Sequence, residues 1–294
     1  MNREPDVVQI PIGDYQNTAY VWEGRDPPLL FCHATGFHGR VWDSIIRKLP
    51  GRRAVSVDLR GHGLSTKTEP PYPWDSFVGD MLEVIDYLGL DHVIGIGHSM
   101  GGHVVTAAVP RSPKVLSGLV LVEPSLFDPH TYKVEPPDPG QDGKHPVSRR
   151  RNEWDSPAEM FERLRRHPNF STWEEETLAD YCNYGLHKNP DTGKYNLACP
   201  PLVEASMYGS YIDPQILDRL PEIELPIRIL LARHRTVEDP KSGFGPSVTR
   251  EDLVNRFPNA TARRLEDLSH FLPMEDSQLV ADEIESFCGG LNPG

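Results

Sequence analysis

Cysteine is scarce in this chain: 4 in 294 residues, Cys32, Cys182, Cys199 and Cys288, with no C-x-x-C pair and no zinc-site spacing. That excludes a disulfide framework or a metal clamp as the organising principle, and buried free thiols in a reducing cytoplasm are the expectation. Long apolar runs are missing too. The longest, 118–122 and 227–232, have strand length and fall far short of the roughly 18 residues of a membrane span, and residues 1–6 are polar without an apolar stretch of signal-peptide length. A cytoplasmic protein without membrane attachment is therefore expected. Positive charge is in deficit, with 30 Lys and Arg against 43 Asp and Glu and a formal net charge of −13. Nucleic-acid binding is excluded on that balance, because phosphate backbones need clustered cations; the acidity reads as solubility. Internal repeats and low-complexity tracts are absent.

What is there is ordinary in bulk, 38% hydrophobic and 25% charged, and 294 residues suit one α/β unit with an insertion. Strand-like segments at 7–12, 18–23, 29–33, 53–58, 92–96 and 116–122 alternate with helical ones at 41–49, 74–88 and 100–109. Residues 74–88 place apolar side chains three and four apart, the spacing of an amphipathic helix. Such alternation predicts a mostly parallel central sheet flanked by helices. After Glu123 the rhythm stops. Residues 126–147, rich in Pro, Asp, Gly and Lys, read as a loop, and four helices are expected near 156–166, 172–186, 200–209 and 213–220 with no strand between them. The rhythm resumes with strands at 227–232 and 262–265 and helices at 248–256 and 276–288. The division expected is 1–125 as the first part of the core, 126–222 as an inserted helical cap, and 223–294 as the rest of the core.

Between a strand and a helix stands Gly97-His98-Ser99-Met100-Gly101-Gly102, a G-x-S-x-G pattern preceded by Val-Ile-Gly-Ile and followed by small residues. In such a turn the serine sits on a strained strand-to-helix corner, and the flanking glycines leave room where backbones meet. With this turn the chain resembles the α/β-hydrolase-fold serine hydrolases over nearly its whole length. His33-Ala34-Thr35-Gly36-Phe37-His38-Gly39 is similar to their HG-type oxyanion loop. Asp58-Leu59-Arg60-Gly61-His62-Gly63-Leu64-Ser65 is similar to their D-x-R-G-x-G-x-S turn, and Ser269-His270-Phe271-Leu272-Pro273-Met274-Glu275 to the segment carrying their catalytic histidine.

The resemblance implies Ser99 as nucleophile, His270 as general base, and the backbone N–H groups of Thr35 and Met100 as oxyanion hole. Ala34 replaces the usual glycine of the HG pair. His33, His62 and His98 are expected to pack structurally. The acid is the open position. Relatives carry it beyond the strand at 227–232, where this chain has Arg233-His234-Arg235, and a cation beside His270 would lower its basicity. Glu123, closing an apolar strand at the active edge, needs a partner because burying it unpaired costs several kcal/mol; some relatives place the acid there. Glu238 and Asp239 are the alternatives.

The cap carries Trp154, Phe161, Trp173, Tyr181, Tyr184, Tyr208 and Tyr211, some expected to roof the pocket and suit a small apolar or aromatic substrate. Arg149-Arg150-Arg151 reads as a solvated basic face, with attraction of an anionic substrate group as the alternative. The function expected is hydrolysis of a small carboxylic ester or lactone through an acyl-Ser99 intermediate, with no metal or organic cofactor. A C–C bond hydrolase and a non-catalytic ligand receptor of the same fold are the competing readings. Epoxide hydrolases and dehalogenases need a carboxylate nucleophile, and position 99 is serine.

Overall fold

A computed structural model describes residues 4–126, 145–210, 215–239 and 244–291. Eleven strands are present among them: β1 (Asp6–Ile12), β2 (Tyr15–Trp22), β3 (Arg25–Cys32), β4 (Arg52–Asp58), β5 (Val93–His98), β6 (Leu116–Val122), β7 (Glu153–Trp154), β8 (Leu186–Lys188), β9 (Tyr195–Leu197), β10 (Ile227–Leu231) and β11 (Ala260–Arg264). Eight form one sheet in the order β1-β2-β4-β3-β5-β6-β10-β11. β1 and β2 pair antiparallel, as do β2 and β4; every other neighbour in this sheet is parallel.

The helices are α1 (Asp43–Ile46), α2 (Trp74–Tyr87), α3 (Met100–Ala108), α4 (Pro157–Leu164), α5 (Glu175–Tyr184), α6 (Pro201–Gly209), α7 (Ile216–Arg219), α8 (Leu272–Glu275) and α9 (Ser277–Gly290). β5 lies mid-sheet and is buried at all six positions, which is why it reads as a continuous apolar run rather than an alternating one. α2 buries Trp74, Phe77, Val78, Met81, Val84 and Ile85, its i, i+3, i+4 stripe, in the core cluster on one face of the sheet. α9 supplies Val280, Ala281, Ile284 and Phe287 to the cluster on the other face. The four cysteines are free thiols, and among the described residues no helix is long and apolar enough to cross a membrane.

Three local expectations differ from what is found. The helix expected over 41–49 is a 3-10 turn over Gly39–Trp42 followed by the single turn α1. Of the helix expected over 248–256 only a 3-10 turn, Leu253–Arg256, forms, because the backbone at 247 and 248 is committed elsewhere: Ser247 N–H donates to Arg233 O and Val248 N–H to the Glu123 carboxylate. The third concerns the segment between β6 and β10, which contains helices but also a three-stranded antiparallel sheet, β7-β9-β8. β8 and β9 flank Asn189-Pro190-Asp191-Thr192-Gly193, where Asn189 Oδ1 accepts from Asp191 N–H and Gly193 takes a positive φ of 72°, a turn only glycine enters readily. Residues 127–144 of the expected loop, Tyr211, and positions 213–214 of an expected helix lie outside the described residues.

Candidate active site

Ser99 follows β5 directly and caps α3 with φ 55° and ψ −116°, a conformation strained for a residue with a Cβ. The neighbouring glycines let it persist. A Cβ on Gly97 would overlap the Gly101 carbonyl, one on Gly101 would overlap the Cys32 carbonyl at the end of β3, and one on Gly102 would press on Pro124. Two backbone bonds lock the corner to β6: Ser99 N–H to Val122 O, and Ser125 N–H to Ser99 O, both 3.0 Å. Ser99 Oγ is 3.2 Å from Ser125 Oγ; no hydrogen bond joins it to His270 in this geometry, though both side chains line one cavity.

Glu123 directly follows β6, with φ 45° and no exposure. Its carboxylate accepts from His270 Nδ1–H at 3.2 Å, Ala232 N–H and Ser247 Oγ–H at 2.7 Å each, and Val248 N–H at 3.0 Å. Burial alone would raise its pKa, but the bonds from His270, Ser247 and Ala232 outweigh it and hold the carboxyl below the usual value. The origin of this site lies in strand order. β6 and β10 are parallel neighbours with Val122 opposite Leu230, so an acid at either strand end can reach the same imidazole. Here β10 contributes the Ala232 N–H as a donor, and β6 contributes the carboxylate.

The two alternative acids lie elsewhere. Asp239 is paired with Arg233 at 2.6 and 2.9 Å and accepts from Thr236 N–H; Glu238 is exposed. Neither is bonded to His270. The cation in the usual acid position is thus turned onto Asp239.

His270 sits between β11 and α8. Its N–H donates to Phe244 O, its ring stacks on Phe244 at 5.1 Å, and its carbonyl accepts from His98 Nε2–H at 2.9 Å. His98, beside Ser99 in sequence, therefore holds the backbone of His270, and burial drives its pKa well below the ordinary histidine value.

The 33–39 loop is braced by two more buried imidazoles. His33 Nε2 accepts from Leu59 N–H at 3.1 Å, and His62 Nε2 accepts from Gly36 N–H at 3.0 Å. Burial lowers both pKa values, keeping each ring neutral and able to accept. Thr35 and Met100 come together here, Thr35 Oγ1–H donating to Met100 Sδ at 3.4 Å. Met100 opens α3, so its N–H has no intrahelical acceptor.

Above these groups lies a cavity of about 800 Å³. Thr35, Ser99, Ser125 and His270 line it from the core, and Trp154, Met160, Phe170, Tyr181 and Tyr208 from the segment between β6 and β10. Phe37 joins the two parts, its ring packing on Tyr181 at 5.4 Å, Trp173 at 5.6 Å and Phe271 at 6.0 Å. Phe161, Trp173 and Tyr184 do not line the cavity. The basic triplet is not a uniform solvated face: Arg149 and Arg151 are exposed, whereas Arg150 is half-buried in the cavity wall with Glu204 and Tyr181 as partners. Sequence reasoning missed Ser125, Ser247, Glu204 and Phe244. Only Ser125, two residues beyond Glu123, stands near a recognisable signal.

The model of the alpha/beta hydrolase family matches residues 29–283. A bifunctional esterase/perhydrolase of Acinetobacter calcoaceticus is 35% identical over 116 residues, 36% of this chain and 41% of that protein. A 2-(acetamidomethylene)succinate hydrolase of Mesorhizobium japonicum is 30% identical over 102 residues, 34% of this chain and 37% of that protein. The chain thus spans about two-fifths of the length of these curated relatives. Among solved structures, E-2-(acetamidomethylene)succinate hydrolase superposes with a TM-score of 0.75 at 18% identity, covering 97% of this chain and 100% of that one, a likeness of fold.

Proposed function

The chain belongs to the alpha/beta hydrolase family, and from that premise we propose that it is a serine hydrolase cleaving a small carboxylic ester or lactone through an acyl-enzyme on Ser99. The observation that carries the reading is the His270 Nδ1–Glu123 Oε2 bond, made by a buried carboxylate to an imidazole that lines the same cavity as Ser99. An imidazole bonded to a carboxylate through Nδ1 presents Nε2 as a base.

Rotation about the Ser99 Cα–Cβ bond carries Oγ from Ser125 towards that nitrogen. His270 takes the Ser99 proton as Oγ attacks the substrate carbonyl, and Glu123 stabilises the imidazolium without becoming protonated. The N–H groups of Thr35 and Met100 hold the oxyanion, each worth about 3 kcal/mol in the transition state. His270 then gives its proton to the leaving alkoxide, and water releases the acid by the same steps in reverse roles. The segment between β6 and β10 serves as a cap that excludes water, its aromatic side chains receiving the apolar part of the substrate.

The esterase activity in the name of the first relative supports the reaction class. A receptor reading drew its support from the missing acid after β10, and the position of Glu123 removes that support. Pre-steady-state release of p-nitrophenol from a p-nitrophenyl ester tests the proposal. A burst equal to the enzyme concentration, abolished in Ser99→Ala, is expected. Turnover of a vinylogous diketone in preference to aryl esters would instead assign C–C bond hydrolysis.

A further inference from the structure

The described lining of the cavity holds more cations than carboxylates, against the trend of the chain. The protein carries a net charge of −13, yet the described residues lining its cavity include Arg150, Arg151, Arg163 and Arg235 against a single carboxylate, Glu204. Apolar walls around such a cluster focus its field rather than dissipate it.

Arg150 is the most deeply set of the four. Its Nη1 lies 2.6 Å from Glu204 Oε2 and its Nη2–H donates to Tyr181 Oη at 3.0 Å. A guanidinium has five N–H donors, and these two bonds leave three uncommitted, Nε–H among them, on a side chain 27% exposed in the cavity wall. Glu204 is enclosed and lies against Gly36, where a Cβ would overlap its carboxyl. Arg150 is thereby registered, through Glu204, against the loop that carries Thr35. Nearer the surface, Arg151 is neutralised by Glu159, whereas Arg163 is exposed and makes no ion pair or hydrogen bond among the described residues.

An apolar substrate group against Arg150 would leave its remaining donors unsatisfied, at a cost; a neutral oxygen would accept from them, and a carboxylate would do so with charge-assisted bonds about twice as strong. Resting on the hydrolase reading above, we infer that the substrate is anionic: an ester or lactone bearing a free carboxylate, which Arg150 binds while the scissile carbonyl lies at Ser99. Arg163 adds long-range attraction at the rim, and the Glu204 pair fixes the guanidinium in orientation.

Equilibrium binding to the Ser99→Ala protein tests this without requiring turnover. Trp74 and Trp154 line the cavity, so their fluorescence reports occupancy by glutarate and by its neutral counterpart, glutaramide. Glutarate is expected to bind at least about 10-fold more tightly, the worth of one hydrogen-bonded charge. The double variant Arg150→Met/Glu204→Leu, which removes both charges of the pair, is expected to erase that preference. Equal affinities for the two compounds would overturn the inference, as would a preference that survives in the folded double variant. If the double variant does not fold, the comparison of the two compounds in the Ser99→Ala protein decides alone. Labelling of Ser99 by a fluorophosphonate separates the two claims. A protein that labels but does not prefer glutarate loses only the anionic substrate; one that prefers glutarate but does not label loses the hydrolase.

Discussion

Glu123 is surrounded by donors only: an imidazole, a hydroxyl and two backbone N–H groups. An amide in its place keeps the shape but turns an N–H₂ group towards donors. Glu123→Gln is therefore expected to lower kcat by about 10⁴-fold, the scale of losing the carboxylate behind a catalytic imidazole, and to cost about 1–3 kcal/mol of stability for the bonds broken. Steady-state kinetics and urea denaturation check both. Asp239 gives the contrast. It is engaged with Arg233 and apart from His270, so Asp239→Asn is expected to leave kcat on an aryl ester within about 2-fold, in the range of an exposed ion pair's worth. A collapse of kcat in Asp239→Asn with retention in Glu123→Gln would move the acid to the loop.

At the scale of elements, the elbow is a tightly constrained junction. Gly101 is where α3, β3 and the loop after β3 come closest, and a methyl group there meets the Cys32 and His33 carbonyls. Gly101→Ala is expected to destabilise by about 1–3 kcal/mol, as overpacking does, read as a lowered urea midpoint. The same junction explains what could be read ahead of the structure. β5, α3 and β6 announce themselves because the two strands are short apolar runs and the glycines at 97, 101 and 102 mark the corner between β5 and α3; Ser99 and Glu123 directly follow the two strands. The helix expected over 248–256 fails because the backbone at its start is recruited by Glu123, a partner more than 120 residues away. β7, β8 and β9 are two or three residues long, too short for periodicity to register; only the Asn-Pro-Asp-Thr-Gly turn betrays them. Arg150 and Glu204 lie 54 residues apart, and nothing local in either segment signals that they meet.

For the molecule as a whole, buried imidazoles govern the response to acid. His33, His38, His62 and His98 all lie in the interior, with burial lowering each pKa, that of His38 to about 4. Unfolded, each titrates near 6.5. Between that value and the lower folded one the unfolded chain binds more protons, so stability is full above about pH 6.5 and falls as the pH drops. Asp43, raised by burial to about 6, opposes this by taking a proton in the folded state, as do Glu204 and Asp180 with their raised values. Asp43 takes up its proton only as the pH falls through about 6, below the value of about 6.5 at which four unfolded imidazoles are already half protonated, so the imidazoles dominate the first part of the descent. Tm is expected to fall between pH 7 and 5.5, measured by circular dichroism; a rise over that interval would show the buried carboxyls in control.

The reactivity of one hydroxyl underlies all of this, and intact-protein mass spectrometry after brief exposure to a fluorophosphonate measures it most directly. The expected result is a single adduct, located at Ser99 by peptide mapping, that forms at least about 100-fold more slowly in His270→Ala. An unmodified Ser99 in folded protein, or equal labelling with and without the imidazole, would contradict the account.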